Sequence, residues 1–324
     1  MGRERDWTLA FLLVVTALAV QEGAKRLKSL CVNSALFTRY SGIQIRQTPE
    51  RDMDVSGDGR LDSPVRLVVV DVDGCLTPGE GQPWNLQVFS YVAQLNREAR
   101  HNPQVPAVTL CTGRQEPYVE VLMQAIDAHL PAIYENGGGL YFPQEYRFVE
   151  HPIITPQMRE ALSRVKAALR REIVKAGRGY FQPGKEVSLT LYPTNHTTVH
   201  ELYHIAIKVL TAHRARYTAQ ASVSCVDILP EGVDKGSGVK WLSEETGIPL
   251  AQIGGIGDST SDLKFLRLVG HSAAPANATD EVKAAVGYVS PYQDGDGVVD
   301  ILRQWALRTT ADLESAASRS EERG

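Results

Sequence analysis

The sequence predicts an α/β protein, a doubly wound parallel sheet into which a second α/β unit is inserted. Three observations predict it. Short apolar, β-rich runs near 67–70, 105–111 and 253–256 each stop at a turn carrying a carboxylate or hydroxyl, the pattern of buried parallel strands that open at their carboxyl ends. Helical patterns alternate with these runs, which favours crossover connections. Between Thr112 and Lys235 lie about 120 residues with strand and helix patterns of their own, far too many for one crossover. A length of 324 residues with 43% hydrophobic side chains allows two domains with ordinary cores.

The first element is LVVVDVDGCLTPG, from Leu67 to Gly79, in which β-branched residues stop at Asp-x-Asp-Gly. Open α/β sheets bind ligands at such strand ends. Two carboxylates there repel each other unless a cation lies between them, so Asp71 and Asp73 point to a hard divalent metal with oxygen ligands. Gly74 lets the chain turn sharply after them. The run from Val105 to Arg114 repeats the pattern: Thr112 stands at a second strand end, where its hydroxyl and the following backbone N–H groups can hold phosphate oxygens. Further on, PEGVDKGSGVKWL puts Lys235 just before a helix expected from about Ser237 to Glu245, and an ammonium beside a helix N-terminus attracts anions. No Walker phosphate loop is present. The last element, IGGIGDSTSDLKFL from Ile253 to Leu266, puts Asp258 at a strand end. Asp262 shares its face if the helix starts in that turn. Taken singly, each feature is also an ordinary acidic turn, surface lysine or helix cap.

The intervening segment predicts short strands near Leu140–Phe142 and Tyr146–His151 and a helix from about Thr155 to Ala176. A strand over Glu186–Tyr192, a helix over Thr198–Ala215 and a strand over Ala219–Leu229 follow. Two helices among four strands suit a layer of helices packed on one sheet face.

In this order, Asp-x-Asp, strand-end Thr, Lys before a helix and Gly-Asp-x-x-x-Asp, the sequence resembles the haloacid dehalogenase superfamily of phosphohydrolases over about Val65 to Leu302. The insertion resembles the larger cap of the sucrose-phosphatase and Cof-like branch. Glu135-Asn136-Gly137-Gly138 and the stretch from Ala274 to Val298, with Pro-Ala-Asn-Ala-Thr, look like archaeal-type phosphoglycolate phosphatases. The resemblance implies a Rossmann-like core over 64–115 and 230–308 and an α/β cap over 116–229. It also implies Asp71 as nucleophile, Asp73 as acid and base, and Thr112, Gly113, Arg114 and Lys235 around the phosphate. Mg2+ would sit on Asp71, the Asp73 carbonyl and Asp258, with Asp262 either a ligand or an orienting group. Asn277 is implied at the phosphate or the metal shell, with a loop-stabilising role equally open. Superfamily members that cleave carbon–halogen bonds lack the acid at Asp73, which favours phosphate chemistry. The implied reaction is hydrolysis of a small phosphorylated metabolite, 2-phosphoglycolate first and a sugar phosphate second. A phosphoacceptor signalling module is the reading from another class, and the large insertion counts against it. The glycines at 254, 255 and 257 lack the full dinucleotide fingerprint.

A net charge of -4 with scattered Lys and Arg gives no nucleic-acid footprint. Four cysteines without Cys-x-x-Cys spacing indicate neither zinc nor a disulfide framework and suit a reducing cytosol. The apolar run Trp7–Val20, about 14 residues, is shorter than the roughly 20 of a membrane span. It reads as an added helix, an export signal, or part of an upstream extension with initiation at Met53, the last being favoured. A cytoplasmic phosphatase is therefore expected, with export as the alternative if residues 1–19 are a signal. The stretch before residue 64 is set apart as an extension and 309–324 as a tail.

Overall fold

The computed structural model describes residues 64–306; the expectations for the N-terminal extension and for the tail from 309 lie outside them. A five-stranded sheet, all parallel, runs in the order β12-β11-β10-β1-β2. Its strands are β1 (Leu67–Val70), β2 (Ala107–Leu110), β10 (Ile253–Ile256), β11 (His271–Ala274) and β12 (Tyr288–Val289). Alternation along β1 divides the core. Val68 and Val70 face α1 (Leu86–Ala99), α2 (Glu116–Ala125) and α8 (294–306), whereas Leu67 and Val69 face α5 (Lys235–Thr246), α6 (Leu263–Leu266) and α7 (Asp280–Ala285). Helices therefore cover both faces, as near-continuous apolar strands require. The glycines of β10 serve close packing: a Cβ on Gly254 would lie 2.5 Å from the Trp305 ring, and one on Gly255 2.9 Å from Phe265.

The inserted unit is a four-stranded antiparallel sheet in the order β6-β7-β9-β8. It contains β6 (Gly179–Phe181), β7 (Leu189–Pro193), β8 (Tyr217–Ala221) and β9 (Val226–Pro230). Leu189, Leu191, Val226 and Ile228 pack on α3 (Pro156–Leu169), which runs on through a π-helical turn at 170–174, and on α4 (Val199–Ala212). Thr155 and Thr198 cap these helices through their side chains.

Four expectations are corrected. The segment from 116 does not start the cap, because Val119, Leu122 and Met123 of α2 are buried in the core of the parallel sheet. Strands β4 (Gly139–Phe142) and β5 (Arg147–Glu150) are not cap strands; with β3 (Ala132–Tyr134) they form a separate antiparallel sheet, which touches the main one at the Cys111–Ile133 bridge. The single strand expected over Ala219–Leu229 is a hairpin, turned at 222–225, where the Ser222 hydroxyl accepts the N–H groups of Ser224 and Cys225. Finally, α5 begins at Lys235 itself, because Asp234 forms a capping box with Ser237. Among the described residues no helix is long and apolar enough to cross a membrane.

Candidate active site

Three adjacent strands, β10, β1 and the edge strand β2, end side by side, and each delivers a polar residue to the same rim: Asp258, Asp71 and Thr112. Asp71 is buried directly after β1. The Lys235 ammonium, brought in by the first turn of α5, lies 2.9 Å from Asp71 Oδ2 and 2.6 Å from Asp262 Oδ1, with all three side chains buried. Asp71, Asp258 and Asp262 each present an oxygen within 4.8 Å of the others.

This is too much negative charge for one lysine. Burial, then the charge of Asp262, drives the Asp71 carboxyl well above its usual range, with Lys235 only partly opposing. Asp258 is pushed up to about 6, first by burial and then by Asp262. Burial works against the Lys235 ammonium, but Asp262 and Asp71 outweigh it and hold it charged well above the ordinary lysine value.

The two distal carboxylates differ in what already occupies them. Asp262 accepts Lys235 at one oxygen, while its other oxygen accepts the N–H of Asp258, the N–H of Ser259 and the Ser259 hydroxyl. Asp258 is less engaged: the side chain that donates to it among the described residues is the Cys75 thiol, at 3.7 Å. Of the pair, Asp258 has lone pairs left for a cation, and Asp262 is bound up in orienting Lys235 and the turn. A divalent cation fits here on the chemistry of the donors: hard carboxylate oxygens, in excess of their counter-charge, at a sheet end. Gly74 makes the approach of the two strand ends possible, since it has φ +84° and a Cβ there would lie 2.4 Å from Asp258 Oδ2.

Asp73 sits at the rim, half-buried, and both its oxygens accept from the Arg114 guanidinium at 2.7 Å. Arg114 also faces Glu80 at 3.4 Å, and the Tyr192 hydroxyl of β7 donates to the same Glu80 oxygen. Thr112 is buried, its hydroxyl accepting the Arg114 N–H, with Gly113 between them packed against the Asn136 side chain. Asn277 is exposed; it donates to the Gly74 carbonyl at 2.8 Å and accepts the Asp294 N–H at 2.8 Å, so it ties two loops together. The thiols of Cys75, Cys111 and Cys225 are buried and free.

Asp71, Thr112, Lys235, Asp258 and Asp262, singled out in the sequence, thus meet at the carboxyl end of the parallel sheet, with Asp73 and Arg114 beside them. The Glu80–Tyr192 link was not foreseen, because it joins positions 112 apart through side chains alone. Nor was the buried carboxylate of Glu135, whose stretch was singled out only as a whole.

Comparison with known proteins finds a family model, curated relatives and solved structures similar to this chain. The haloacid dehalogenase-like hydrolase family matches residues 181–302. A phosphoglycolate phosphatase of Thermoplasma volcanium is 25% identical over 248 residues, covering 75% of this chain and 99% of that protein. One from Methanopyrus kandleri is 26% identical over 239 residues, covering 74% and 96%. Among solved structures, a subclass IIB sugar phosphatase of the haloacid dehalogenase superfamily superposes with a TM-score of 0.55 at 18% identity, covering 74% of this chain and 99% of that one. The resemblance seen in the sequence, and the core with its inserted cap, are borne out.

Proposed function

We propose that this chain, a phosphatase similar to the haloacid dehalogenase-like hydrolases over residues 181–302, hydrolyses a small phosphomonoester through an aspartyl phosphate on Asp71, with 2-phosphoglycolate as the substrate. The observation that carries the proposal is the Asp71 carboxylate, buried at a strand end, 2.9 Å from Lys235 and beside Asp258.

Mg2+ held by Asp71, the Asp73 carbonyl and Asp258 would neutralise charge on the transferring phosphoryl group and keep the nucleophile ionised. The chain's own groups do the rest. Asp71 attacks phosphorus in line as the bond to the leaving oxygen breaks, and Asp73 gives that oxygen its proton. Asp73 then takes a proton from water as the water attacks the aspartyl phosphate, releasing inorganic phosphate and restoring the Asp71 carboxylate. Lys235 and the Thr112 hydroxyl hold the equatorial oxygens, with the Gly113 and Arg114 backbone beside them.

Arg114 sharpens the substrate. While both Asp73 oxygens are occupied by its guanidinium, Asp73 cannot present a proton to a leaving group. A carboxylate on the leaving alcohol gives Arg114 an alternative bidentate partner and so releases Asp73. This favours a carboxylate-bearing ester such as phosphoglycolate over a neutral sugar phosphate, and the names of the relatives at about 25% identity point the same way. Phosphate release with magnesium from a panel holding phosphoglycolate, sucrose phosphate and mannosyl phosphoglycerate tests it. Phosphoglycolate is expected to give the highest kcat/KM, and a clear preference for sucrose phosphate would overturn the assignment.

A further inference from the structure

Glu135 is a wholly buried carboxylate without a cation partner among its hydrogen-bonding neighbours. Its Oε1 accepts the Glu186 N–H at 2.9 Å, and its Oε2 accepts the N–H of Val187 at 3.2 Å, the N–H of Ser188 at 2.8 Å and the Ser188 hydroxyl at 2.6 Å. Three successive N–H groups aimed at one anion form a nest. The nest belongs to the cap, in the run that leads into β7, and the carboxylate belongs to the turn that follows β3.

That turn is itself held against the phosphate-binding loop. The Glu135 N–H donates to the Arg114 carbonyl, and the Asn136 N–H to the Thr112 carbonyl, both at 2.9 Å. To reach both sides the chain adopts left-handed backbone at two non-glycine residues, Glu135 at φ +48° and Asn136 at φ +55°. For a glutamate this costs about 1 kcal/mol or more, and such strain persists where the surroundings over-determine it. A wholly buried carboxylate adds a desolvation cost that an apolar contact of the same size would avoid. A residue serving only stability would carry neither.

Resting on the phosphatase reading, we propose that Glu135 is a positioning residue: its side chain fixes cap residues 186–188 against the loop of Thr112 and Arg114, and so sets where the cap meets the leaving group. The neighbours of the clamped run make the consequence specific. Lys185 precedes it, buried, its ammonium donating to the Thr190 hydroxyl and 3.6 Å from Asp227. Thr190 and Tyr192 follow on β7, on the sheet face opposite Leu189 and Leu191, and Tyr192 reaches Glu80 beside Arg114. The backbone bonds of Glu135 and Asn136 hold the phosphate loop whatever the side chain at 135, so the carboxylate acts on leaving-group placement and leaves phosphoryl chemistry alone.

Two variants test this. Glu135→Gln puts an amide N–H against N–H donors, and Ser188→Ala removes one of the four donors while keeping the carboxylate. Both are compared with wild type on its best-cleaved metabolite phosphomonoester and on p-nitrophenyl phosphate, whose leaving group needs no help from the cap. Glu135→Gln is expected to lower kcat/KM for the metabolite at least about tenfold, mainly through KM, and to change p-nitrophenyl phosphate turnover less than about threefold. Ser188→Ala should move the same way by a smaller factor, and it alone decides if Glu135→Gln does not fold. Equal losses on both compounds, or no loss on either, would overturn the role of Glu135 with the phosphatase reading intact. A wild-type protein that releases phosphate from neither compound would overturn that reading and the inference with it.

Discussion

A cluster of carboxylates at the strand ends and one buried carboxylate at the cap lie within this one fold and are stabilised in opposite ways. At the strand ends Asp71, Asp258 and Asp262 share a single ammonium, and burial with mutual repulsion pushes Asp71 and Asp258 upward. At the edge of the cap, Glu135 has no ammonium or guanidinium among its partners, yet four donors satisfy it. Dipoles fixed by the backbone can complete the needs of a carboxylate, whereas a crowd of carboxylates with too few donors remains open to a cation or a phosphoryl group. The unsatisfied cluster is the part suited to chemistry and the satisfied one the part suited to holding.

The largest test of that contrast is Asp71→Asn. It should lower phosphate release at least about a thousandfold, because the amide is a poor nucleophile. Yet the metal-free variant should melt at or above the wild-type temperature, since a repelled charge is gone. Glu135→Gln should melt below wild type, because it spoils a satisfied site; if both variants melt lower, the two sites are not opposites. Next in size is Lys235→Met, which leaves Asp71 and Asp262 facing each other without their ammonium. Breaking a buried pair in this way costs about 3–5 kcal/mol, and calorimetric melting in chelator should show it, with part of the loss recovered on adding magnesium.

Asp258 and Asp262 then separate the two behaviours within the cluster itself. Asp258→Asn should weaken magnesium binding in titration calorimetry while leaving the metal-free melting temperature unchanged or raised. Asp262→Asn should destabilise by about 1–3 kcal/mol, because it disturbs Lys235 and three donors of the turn. The reverse order would exchange their roles. The smallest effect is with pH. Asp258, at about 6, is raised above its unfolded value, so between roughly pH 4 and 6 the folded chain binds more protons than the unfolded one. This group's contribution to metal-free stability is therefore present at low pH and is lost as pH rises to about 6. Magnesium must displace that proton, so its affinity should fall by up to about tenfold per pH unit below 6. Flat affinity from pH 5 to 7 would show that Asp258 does not bind the cation.

Much of this was legible in the sequence because the chemistry sits where strands stop. A β-branched run broken by Asp-x-Asp-Gly is a local signal, and Asp71, Thr112, Lys235 and Asp258 are each marked by such a break. What escaped depends on distant or conformational facts. The hydrogen bonds of Glu135 cross more than fifty positions and need left-handed backbone that neither Glu nor Asn announces. The cap boundary at 116 comes from the resemblance and not from a local signal; only the burial of Val119, Leu122 and Met123 against the parallel sheet assigns α2 to the core. The hairpin at 222–225 was missed because its turn has neither Gly nor Pro, and a serine hydroxyl closes it instead.

The chain crosses from core to cap after β5 and returns after β9, and the two crossings adjoin: a Cβ on Gly232 would lie 3.1 Å from Ile153 Cδ1. A module whose two ends meet at one doorway can be exchanged as a cassette, the host keeping its connectivity and its phosphate-binding rim. Such an exchange has one condition in this molecule. A foreign cassette that offers Glu135 no three consecutive N–H groups in register leaves a buried carboxylate bare, so inheritance of the cap is tied to inheritance of the turn beneath it.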